Sequence, residues 1–287
     1  MTPNAKGSLY MAAAMGAFSV EDAFFKRATQ DIPTSQALMM FGAMGLAVFV
    51  LLSLRRKEPI WHPQLFSTAL ILRSVSELVG RLSFALALAL TPLTSASAIL
   101  QAAPLVVVIG AVVFFGERVG WRRWLAIGLG LVGVLMIIRP TPALFEPNSI
   151  FAVLATLGFA CRDLATRASP ATMSTEQLGS LGFAILVIAG VLLSFILGES
   201  LTTPTRLSVG ATTGATVAGV LAYSALTLAM RTGEISIVTP FRYTRQLFAI
   251  ILGFAVFGEW PDLLTWAGIG VIILSGLYTA RAGRQDR

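Results

Sequence analysis

The sequence predicts an all-α polytopic membrane protein with ten transmembrane helices, arranged as two inverted five-helix repeats around a central cavity. Hydrophobic residues make up 56% of the 287-residue chain, charged residues make up 12%, and the mean hydropathy is +0.80. A soluble domain contains about 25% charged residues, so this chain has too little polar surface to cover one. Four ranges of 18–24 residues contain no Asp, Glu, Lys or Arg, and about 20 such residues cross a bilayer as a helix. These ranges are Ser35–Leu54, Gln177–Gly198, Leu207–Met230 and Leu263–Ala280.

Short segments of proline, glycine and charge separate the apolar ranges and define the helices in order. The predicted helices cover about residues 7–25, 35–54, 65–90, 93–115, 121–138, 148–164, 177–197, 207–229, 235–257 and 263–280. The third and fourth are divided at Thr91-Pro92, because proline cannot continue a preceding helix. The first apolar range superficially resembles a signal peptide. A signal peptide begins with a positively charged region, but Lys6 is the only charged residue before this range. We therefore interpret it as a retained first helix.

The distribution of Lys and Arg predicts the orientation in the membrane. With an inner N-terminus, the inner segments hold thirteen of these residues and the outer segments hold four. Short loops on the cytoplasmic side carry the excess of positive charge. We therefore expect a multi-pass protein of the cell inner (plasma) membrane with both termini cytoplasmic. The net charge of +7 is assigned to this topology and not to binding of nucleic acid.

The chain also contains a weak internal repeat, in which one ungapped shift aligns the first half with the second. In this register Phe115-Gly116-Glu117 matches Phe257-Gly258-Glu259, and Trp124 matches Trp266. The repeat divides the chain into residues 1–142, with helices 1–5, and residues 143–287, with helices 6–10. Five crossings return the chain to the opposite face, so the second half is inverted relative to the first. Inverted repeats are typical of secondary transporters.

Several of these motifs carry a family resemblance. Leu86-Ala87, Thr91-Pro92, the serine-rich Thr94–Ser97, Pro104 and Phe115-Gly116-Glu117, followed by a helix with a glycine pattern, resemble the EamA domain of the drug/metabolite transporter (DMT) superfamily. The resemblance implies ten helices, inverted repeats and carriage of small metabolites or drugs by alternating access. Amino-acid exporters of the YddG type are the nearest likeness, which implies export of amino acids or related compounds. The alternatives are uptake of a vitamin, nucleotide-like or other organic solute, and a non-transporting membrane scaffold or channel.

Charged residues inside the predicted spans are the candidates for a substrate cavity. Arg73, Glu77 and Arg81 are spaced four apart on helix 3 and form one stripe. Arg242 and Arg245 lie near the middle of helix 9, beside Tyr243. An arginine at mid-bilayer costs about 2.5–3.5 kcal/mol on insertion scales. These side chains must therefore face a polar cavity or an opposite charge.

Two interpretations of these charges remain open. In one, the arginines bind a carboxylate or phosphate of the substrate, since guanidinium pairs with such groups bidentately. In the other, Glu77 neutralises Arg73 or Arg81 and fastens helix 3 to a neighbour. The repeat favours the first, because the counterparts of the stripe in helix 8 are Ala215, Gly219 and Tyr223. Tyr223 is added to the cavity candidates.

A second group of charged residues lies near helix ends or the membrane interface. Glu117 and Glu259 end helices 4 and 9 in equivalent places, and we interpret them as structural residues or as part of a gate. Glu21 and Asp22 in helix 1 correspond to the zone of Arg162 and Asp163 in helix 6. These two pairs are either gate ion pairs or plain interfacial charges.

The remaining features exclude several function classes. With one cysteine, Cys161, and one histidine, His62, the sequence offers no intrachain disulfide and no Cys- or His-rich metal site. It contains no Walker A pattern and no catalytic constellation, so we predict no enzyme, no cofactor and no metal. The expected partners are a small-molecule substrate and the lipid bilayer. No oligomeric state is assigned, and a monomer is compatible with the sequence.

Small residues in helices 5 and 10 predict close helix packing: Gly128, Gly130, Gly133, Gly268, Gly270 and Gly276.

Overall fold

A computed structural model of the chain describes residues 1–59, 62–91, 93–139, 147–257 and 262–285. Within these residues the regular secondary structure is helical and no strand occurs. This confirms the predicted all-α class. The α-helices are α1 Pro3–Ala28, α2 Thr34–Arg55, α3 Thr68–Leu90, α4 Leu93–Leu100, α5 Ala103–Phe115, α6 Trp121–Ile138, α7 Ile150–Ala168, α8 Thr175–Leu197, α9 Arg206–Arg231, α10 Ile235–Val238, α11 Thr244–Phe257 and α12 Leu263–Gln285. Two 3-10 helices cover Pro147–Ser149 and Thr239–Tyr243.

Six helical stretches of the described chain are long and apolar enough to cross a membrane. The other long helices carry charged or polar residues, and several of those residues meet in the interior of the bundle. The six stretches are Thr34–Arg55, Ala96–Phe115, Trp121–Ile138, Pro147–Ala168, Thr175–Leu197 and Arg206–Arg231.

Two helices that the sequence predicted as continuous are interrupted. The helix expected at 93–115 is divided into α4 and α5 at Gln101, with Pro104 in the first turn of α5. The helix expected at 235–257 is divided into α10, a 3-10 helix that contains Pro240, and α11. Proline lacks the amide hydrogen that a continuing helix requires, so both prolines favour a break. Gln101 and Tyr243, which lie at these interruptions, occupy equivalent positions in the register of the repeat.

Most of the packing comes from four antiparallel helix pairs: α1 with α9, α2 with α8, α3 with α7 and α6 with α12. Glycines set the separation within these pairs. A Cβ at Gly158 of α7 would lie 2.8 Å from the Cα of Gly80 on α3. A Cβ at Gly268 of α12 would lie 2.6 Å from the carbonyl oxygen of Gly133 on α6. Only glycine permits backbones to approach so closely.

The predicted packing role holds for only some of the glycines in α6 and α12. Gly130 and Gly133 on α6, and Gly268 on α12, face a neighbouring helix. Gly128 and Gly270 were expected to do the same, but a Cβ at either would have no atom within 4 Å. They lie on the outer side of the pair, because each residue turns about 100° around a helix. The sequence predicts where each helix lies along the chain, but it does not predict which side of the helix packs against a neighbour.

Contacts between loops define two ends of the bundle. At the first end, the side chain of Asn4 accepts a hydrogen bond from the Glu234 amide at 2.9 Å. At the second end, the Ser35 amide donates to Glu199 at 2.9 Å. The N-terminal end of α1 therefore lies at the first end. Because α6 also begins there and α12 runs antiparallel to it, the C-terminal end of α12 lies at the first end as well.

A correction concerns the charge count that was used to predict orientation. Arg162 was counted as an inner interfacial residue, but it is buried inside the bundle on α7. Without Arg162, twelve Lys and Arg residues lie on the inner side and four on the outer side, so the positive charge is still in excess on the inner side.

An exposed ion pair fastens α6 to the start of α12 at the second end. Arg139 ends α6 in a left-handed conformation, with φ of 52°, and donates to the carboxylate of Asp262. The hydrogen bond from this guanidinium holds the pKa of Asp262 well below its usual range. Exposed ion pairs contribute little to stability, so the pair of Arg139 with Asp262 aligns the two helix ends and adds little to the free energy of unfolding.

Candidate functional site

Seven side chains from four elements form one connected group, which we call the ionic cluster. Its members are Arg73, Glu77 and Arg81 of α3, Arg162 and Asp163 of α7, Tyr223 of α9 and Arg242 of the Thr239–Tyr243 3-10 helix. The antiparallel pairing of α3 with α7 brings the first five together, and the interruption before α11 brings Arg242 to them.

Glu77 lies at the centre of the ionic cluster and is fully buried. Its Oε1 accepts a hydrogen bond from Arg162 Nη1 at 3.1 Å, and its Oε2 accepts from the Tyr223 hydroxyl at 2.8 Å. Arg81 Nε lies 3.6 Å from the same carboxylate. The sequence offered a pair between Glu77 and Arg73 or Arg81 of its own helix, and the pair with Arg81 is present. A shorter ion pair joins Glu77 to Arg162 of α7.

Asp163 receives two arginines. Arg162 donates to its Oδ1 from Nε at 2.9 Å and from Nη2 at 2.7 Å. Arg242 donates to its Oδ2. Arg242 therefore pairs with Asp163 of α7 and not with Glu77. Arg162 and Asp163 are buried, so they are not interfacial charges.

Arg73 is 1% exposed and donates to Thr166 Oγ1 at 3.1 Å, to the carbonyl of Leu178 at 3.2 Å and to the Tyr223 hydroxyl. Its Nη1 has no hydrogen-bond partner among the described residues. The face of Tyr223 also lies 5.7 Å from this guanidinium, a distance at which ring and cation attract. Three hydrogen bonds thus fix the guanidinium of Arg73, while its Nη1 donates no hydrogen bond among the described residues.

The ionic cluster contains four arginines and two carboxylates, so it has an excess of positive charge. Buried ion pairs recover their desolvation cost only when charge and hydrogen bonds are well matched. Exposure within the cluster is uneven. The side chains of Arg81 and Arg242 are 20% and 15% exposed, whereas the carboxylates are closed off. The predicted central cavity is thus closed at this cluster, and the excess charge lies on its accessible side.

Arg245 and Asp22 form a separate pair between α11 and α1. Arg245 donates from Nε to Asp22 at 3.2 Å, and its side chain is 40% exposed. Asp22 is therefore the ion-pair partner of Arg245. Phe18 covers this guanidinium at 5.4 Å. The neighbouring Glu21 is 6% exposed and faces α9.

The other candidates lie outside the ionic cluster. Tyr243 packs in an apolar group with Val134 and Ile272, and its hydroxyl has no hydrogen-bond partner among the described residues. Glu117 accepts hydrogen bonds from the amides of Ile235 at 2.8 Å and Ser236 at 3.0 Å. It therefore joins the end of α5 to the start of α10. Its counterpart, Glu259, lies outside the described residues.

Sequence reasoning missed three polar contributors. Thr166 of α7 accepts from Arg73, and its spacing of four from Arg162 places it on the same face. Arg123 and Glu234 form a pair at 2.7 Å at the first end, where α6 and α10 begin. Arg123 entered only the count of inner positive charges, and Glu234 was not singled out. Their partners lie more than 90 residues away in sequence, so no local signal identified them.

Two further features bear on what the molecule binds. Among the described residues, no group of three or more His, Cys, Asp or Glu side chains could hold a metal ion. A surface depression of about 530 Å³ lies at the first end. Its lining residues are Val112, Gly116, Glu117, Arg118, Val119, Gly120 and Trp124. None of these belongs to the ionic cluster.

Comparison with known proteins assigns the chain to a family. The sequence model of the EamA-like transporter family matches residues 5–139 and again residues 147–280. The chain belongs to this family. Members of the EamA-like family are transporters and not enzymes, and the two matches reflect its repeated organisation.

Similar curated proteins are also named as transporters. An S-adenosylmethionine uptake transporter of Rickettsia bellii is 27% identical over 208 residues, which are 72% of this chain and 70% of that protein. A riboflavin transporter of Rhizobium johnstonii is 25% identical, over 96% of this chain and 91% of its own length. A pseudopaline exporter of Pseudomonas aeruginosa is 26% identical over 96% of both chains.

A solved crystal structure of another protein has the same fold as this EamA-like chain. It superposes with a TM-score of 0.85 and covers 98% of both chains, at 17% sequence identity. At this identity the likeness shows the fold alone.

Proposed function

We propose that this EamA-like protein is an alternating-access carrier that exports amino acids or related small metabolites bearing a carboxylate. The observation that carries the proposal is the excess of arginine over carboxylate in the ionic cluster. A substrate carboxylate would bring the opposite charge to the accessible guanidinium groups. Arginine pairs with carboxylates bidentately.

The charges inside the cluster divide into two roles under this proposal. Glu77 and Asp163 both pair with Arg162 and hold α3 against α7. Arg81 and Arg242 are the more accessible members and would meet the substrate first. Arg73, which is buried, would complete the anion site once the surrounding helices separate. This division combines both interpretations that the sequence left open.

The proposed topology is ten crossings in two inverted repeats, residues 1–142 and 143–287, with both termini in the cytoplasm. The helix pairing supports it, because exchanging each helix with its counterpart in the other repeat leaves the set of pairs unchanged. Interrupted helices in equivalent places of both halves support it further. Carriers place substrate and ion sites where such interrupted helices meet.

Uptake of a larger organic solute is the second candidate function. It is favoured by the names of the similar proteins, two of which are an S-adenosylmethionine uptake transporter and a riboflavin transporter. The same anion site would serve S-adenosylmethionine, which carries a carboxylate, whereas riboflavin carries neither a carboxylate nor a phosphate. The two candidates therefore differ in the size and direction of the cargo and share the ionic cluster.

Counterflow in proteoliposomes tests both candidates without assuming a direction. Vesicles loaded with one unlabelled compound are diluted into the same compound carrying a radiolabel, for leucine, glutamate, S-adenosylmethionine and riboflavin in turn. Transient accumulation of a labelled amino acid supports the first candidate, and accumulation of S-adenosylmethionine or riboflavin alone supports the second. Accumulation in no case, with protein that is folded in the vesicles, would contradict the proposed carrier of these compounds.

A further inference from the structure

Glu21 of α1 is a buried acid that the ionic cluster does not use. It is 6% exposed, and no hydrogen bond from the described residues reaches its Oε2. Its carboxyl lies against α9, where a Cβ added at Gly219 would be 3.2 Å from Oε2 and 2.6 Å from the ring of Phe41. The side chain therefore lies between α1, α9 and α2 in a mostly apolar environment.

The charged groups around Glu21 are already engaged with other partners. Asp22, Arg81 and Arg245 are charged residues close enough to act on it electrostatically. Arg245 donates to Asp22, and Arg81 lies against Glu77. From the 3-10 helix, Arg242 donates to Asp163, and from α9 the Tyr223 hydroxyl donates to Glu77. From α2, the ring of Phe41 lies at this position, and Arg55 at the end of the helix is its one charged residue.

The internal repeat explains why this acid lacks a partner. In the register of the repeat, Glu21 is the counterpart of Asp163. Asp163 is neutralised by Arg162 and Arg242, whose counterparts in the first half are Val20 and Leu100. The two halves therefore hold equivalent carboxyl groups, of which only Asp163 is supplied with guanidinium groups.

A carboxyl in this position is neutralised most simply by a proton. An ionised carboxylate without a hydrogen-bond donor is expensive to bury, whereas the protonated form carries no charge. Separation of α1 from α9 would admit water and remove this penalty. The proton would then leave from the carboxyl oxygen to water, which forms hydronium and leaves the carboxylate.

We propose that Glu21 is a proton-binding site, occupied in the packed arrangement and emptied when α1 and α9 separate. This would make the carrier sensitive to pH on the side to which that gap opens. The link between the proton and transport rests on the proposed carrier function, but the binding of the proton does not. The site is distinct from the ionic cluster, whose acids are paired with arginine.

Infrared spectroscopy of the protein in lipid vesicles tests the site without any substrate. Wild-type protein is titrated from about pH 5 to about pH 9, a range that brackets the values known for buried carboxyl groups. We expect the C=O stretching band of a protonated carboxylic acid near neutral pH, and we expect it to disappear as the pH rises. The band should be absent in Glu21→Gln and retained, at a shifted frequency, in Glu21→Asp.

Glu176→Gln is the matched control, because Glu176 is the other described buried glutamate with an oxygen that lacks a hydrogen bond. It pairs with Arg56 at 3.1 Å and should not contribute the band. If Glu21→Gln does not fold, wild-type protein grown with isotopically labelled glutamate replaces it, and the band must shift. A wild-type spectrum without the band, or a band unchanged by Glu21→Gln, would overturn the proposal.

Thermal unfolding gives a second readout of the same site. Raising the pH from about 5 should lower the unfolding midpoint of the wild type until the band disappears and should leave it level above that pH, because the unfolded chain releases this proton at lower pH than the folded protein does. Glu21→Gln should remove this part of the pH dependence, and a wild-type dependence that persists in Glu21→Gln would contradict the assignment. Failed counterflow with a normal infrared titration would sink the carrier proposal while leaving the proton site intact.

Discussion

Glu77 of α3 and Arg162 of α7 lie 85 residues apart in sequence and form a hydrogen-bonded ion pair of 3.1 Å inside the bundle. Each is also tied to a further member of the ionic cluster, Glu77 to Tyr223 and Arg162 to Asp163. The pair therefore connects three helices, α3, α7 and α9. These buried charges therefore have a structural role, which is to hold the three helices together in the absence of substrate.

The first prediction concerns this pair. Glu77→Gln should lower the free energy of unfolding by about 3–5 kcal/mol, the usual cost of removing one partner from a buried ion pair. Arg162→Gln should cost a similar amount, and the double variant should lose less than the sum. Unfolding of purified protein in detergent measures all three.

Asp262→Asn is the control for the Glu77 variants, because it breaks an exposed ion pair with Arg139 and should change stability little. Additive losses in the Glu77 and Arg162 double variant would show that the two residues are not coupled.

The second prediction concerns the arginine that lies at the interruption before α11. Arg242→Gln should reduce counterflow of a carboxylate-bearing compound about tenfold or more, as expected from loss of a charged hydrogen bond worth about 1.5–3 kcal/mol. Protein yield should remain near normal, since Arg162 still neutralises Asp163.

The matched control for Arg242→Gln is Arg139→Gln, which removes an arginine at the second end of the bundle. It should leave counterflow close to the wild-type rate. Undiminished counterflow in Arg242→Gln would remove this residue from the substrate site.

The third prediction concerns glycines that differ only in which side of the helix they occupy. Gly133→Leu and Gly268→Leu should each reduce folded yield strongly, because these backbones approach within van der Waals distance. Gly128→Leu and Gly270→Leu are matched controls on the same helices, and they should express normally since their Cβ positions are open. Size-exclusion profiles of all four variants make the comparison. Equal losses in both sets would contradict the observed helix rotation.

The fourth prediction concerns Glu117, which accepts two backbone amides at the start of α10. Glu117→Ala should cost about 1–2 kcal/mol of stability, comparable to the loss of a helix N-cap. Its exposed neighbour provides the control, since Arg118→Ala should have little effect. The thermal unfolding midpoint in detergent reports both, and an unchanged midpoint in Glu117→Ala would show that water replaces the carboxylate at no cost.

The fifth prediction concerns orientation. In a Cys161→Ser background, a membrane-impermeant thiol reagent should label Pro204→Cys in intact cells and Arg118→Cys only after permeabilisation. These residues lie at the second and first ends of the bundle, respectively. Labelling of both variants in intact cells would contradict the proposed arrangement of the two halves.

Patterns along the chain were enough to predict the all-helical class and the approximate position of each helix. Composition and apolar length act locally, so they survive without knowledge of the tertiary fold. The breaks before α5 and α11 were not predicted, although Pro104 and Pro240 mark them. A proline can kink or interrupt a membrane helix, and the neighbouring helices decide which occurs.

The sequence by itself determined the repeat, the list of charges that must be sheltered from lipid, and the absence of an acid on the predicted helix of Arg242 and Arg245. Only the tertiary structure decided that Arg242 meets Asp163, that Arg245 meets Asp22, and that Glu21 meets neither arginine. The physical reason is rotation. Neighbouring residues on a helix point about 100° apart, so the packing of whole helices, and not spacing along one of them, fixes which charges face each other.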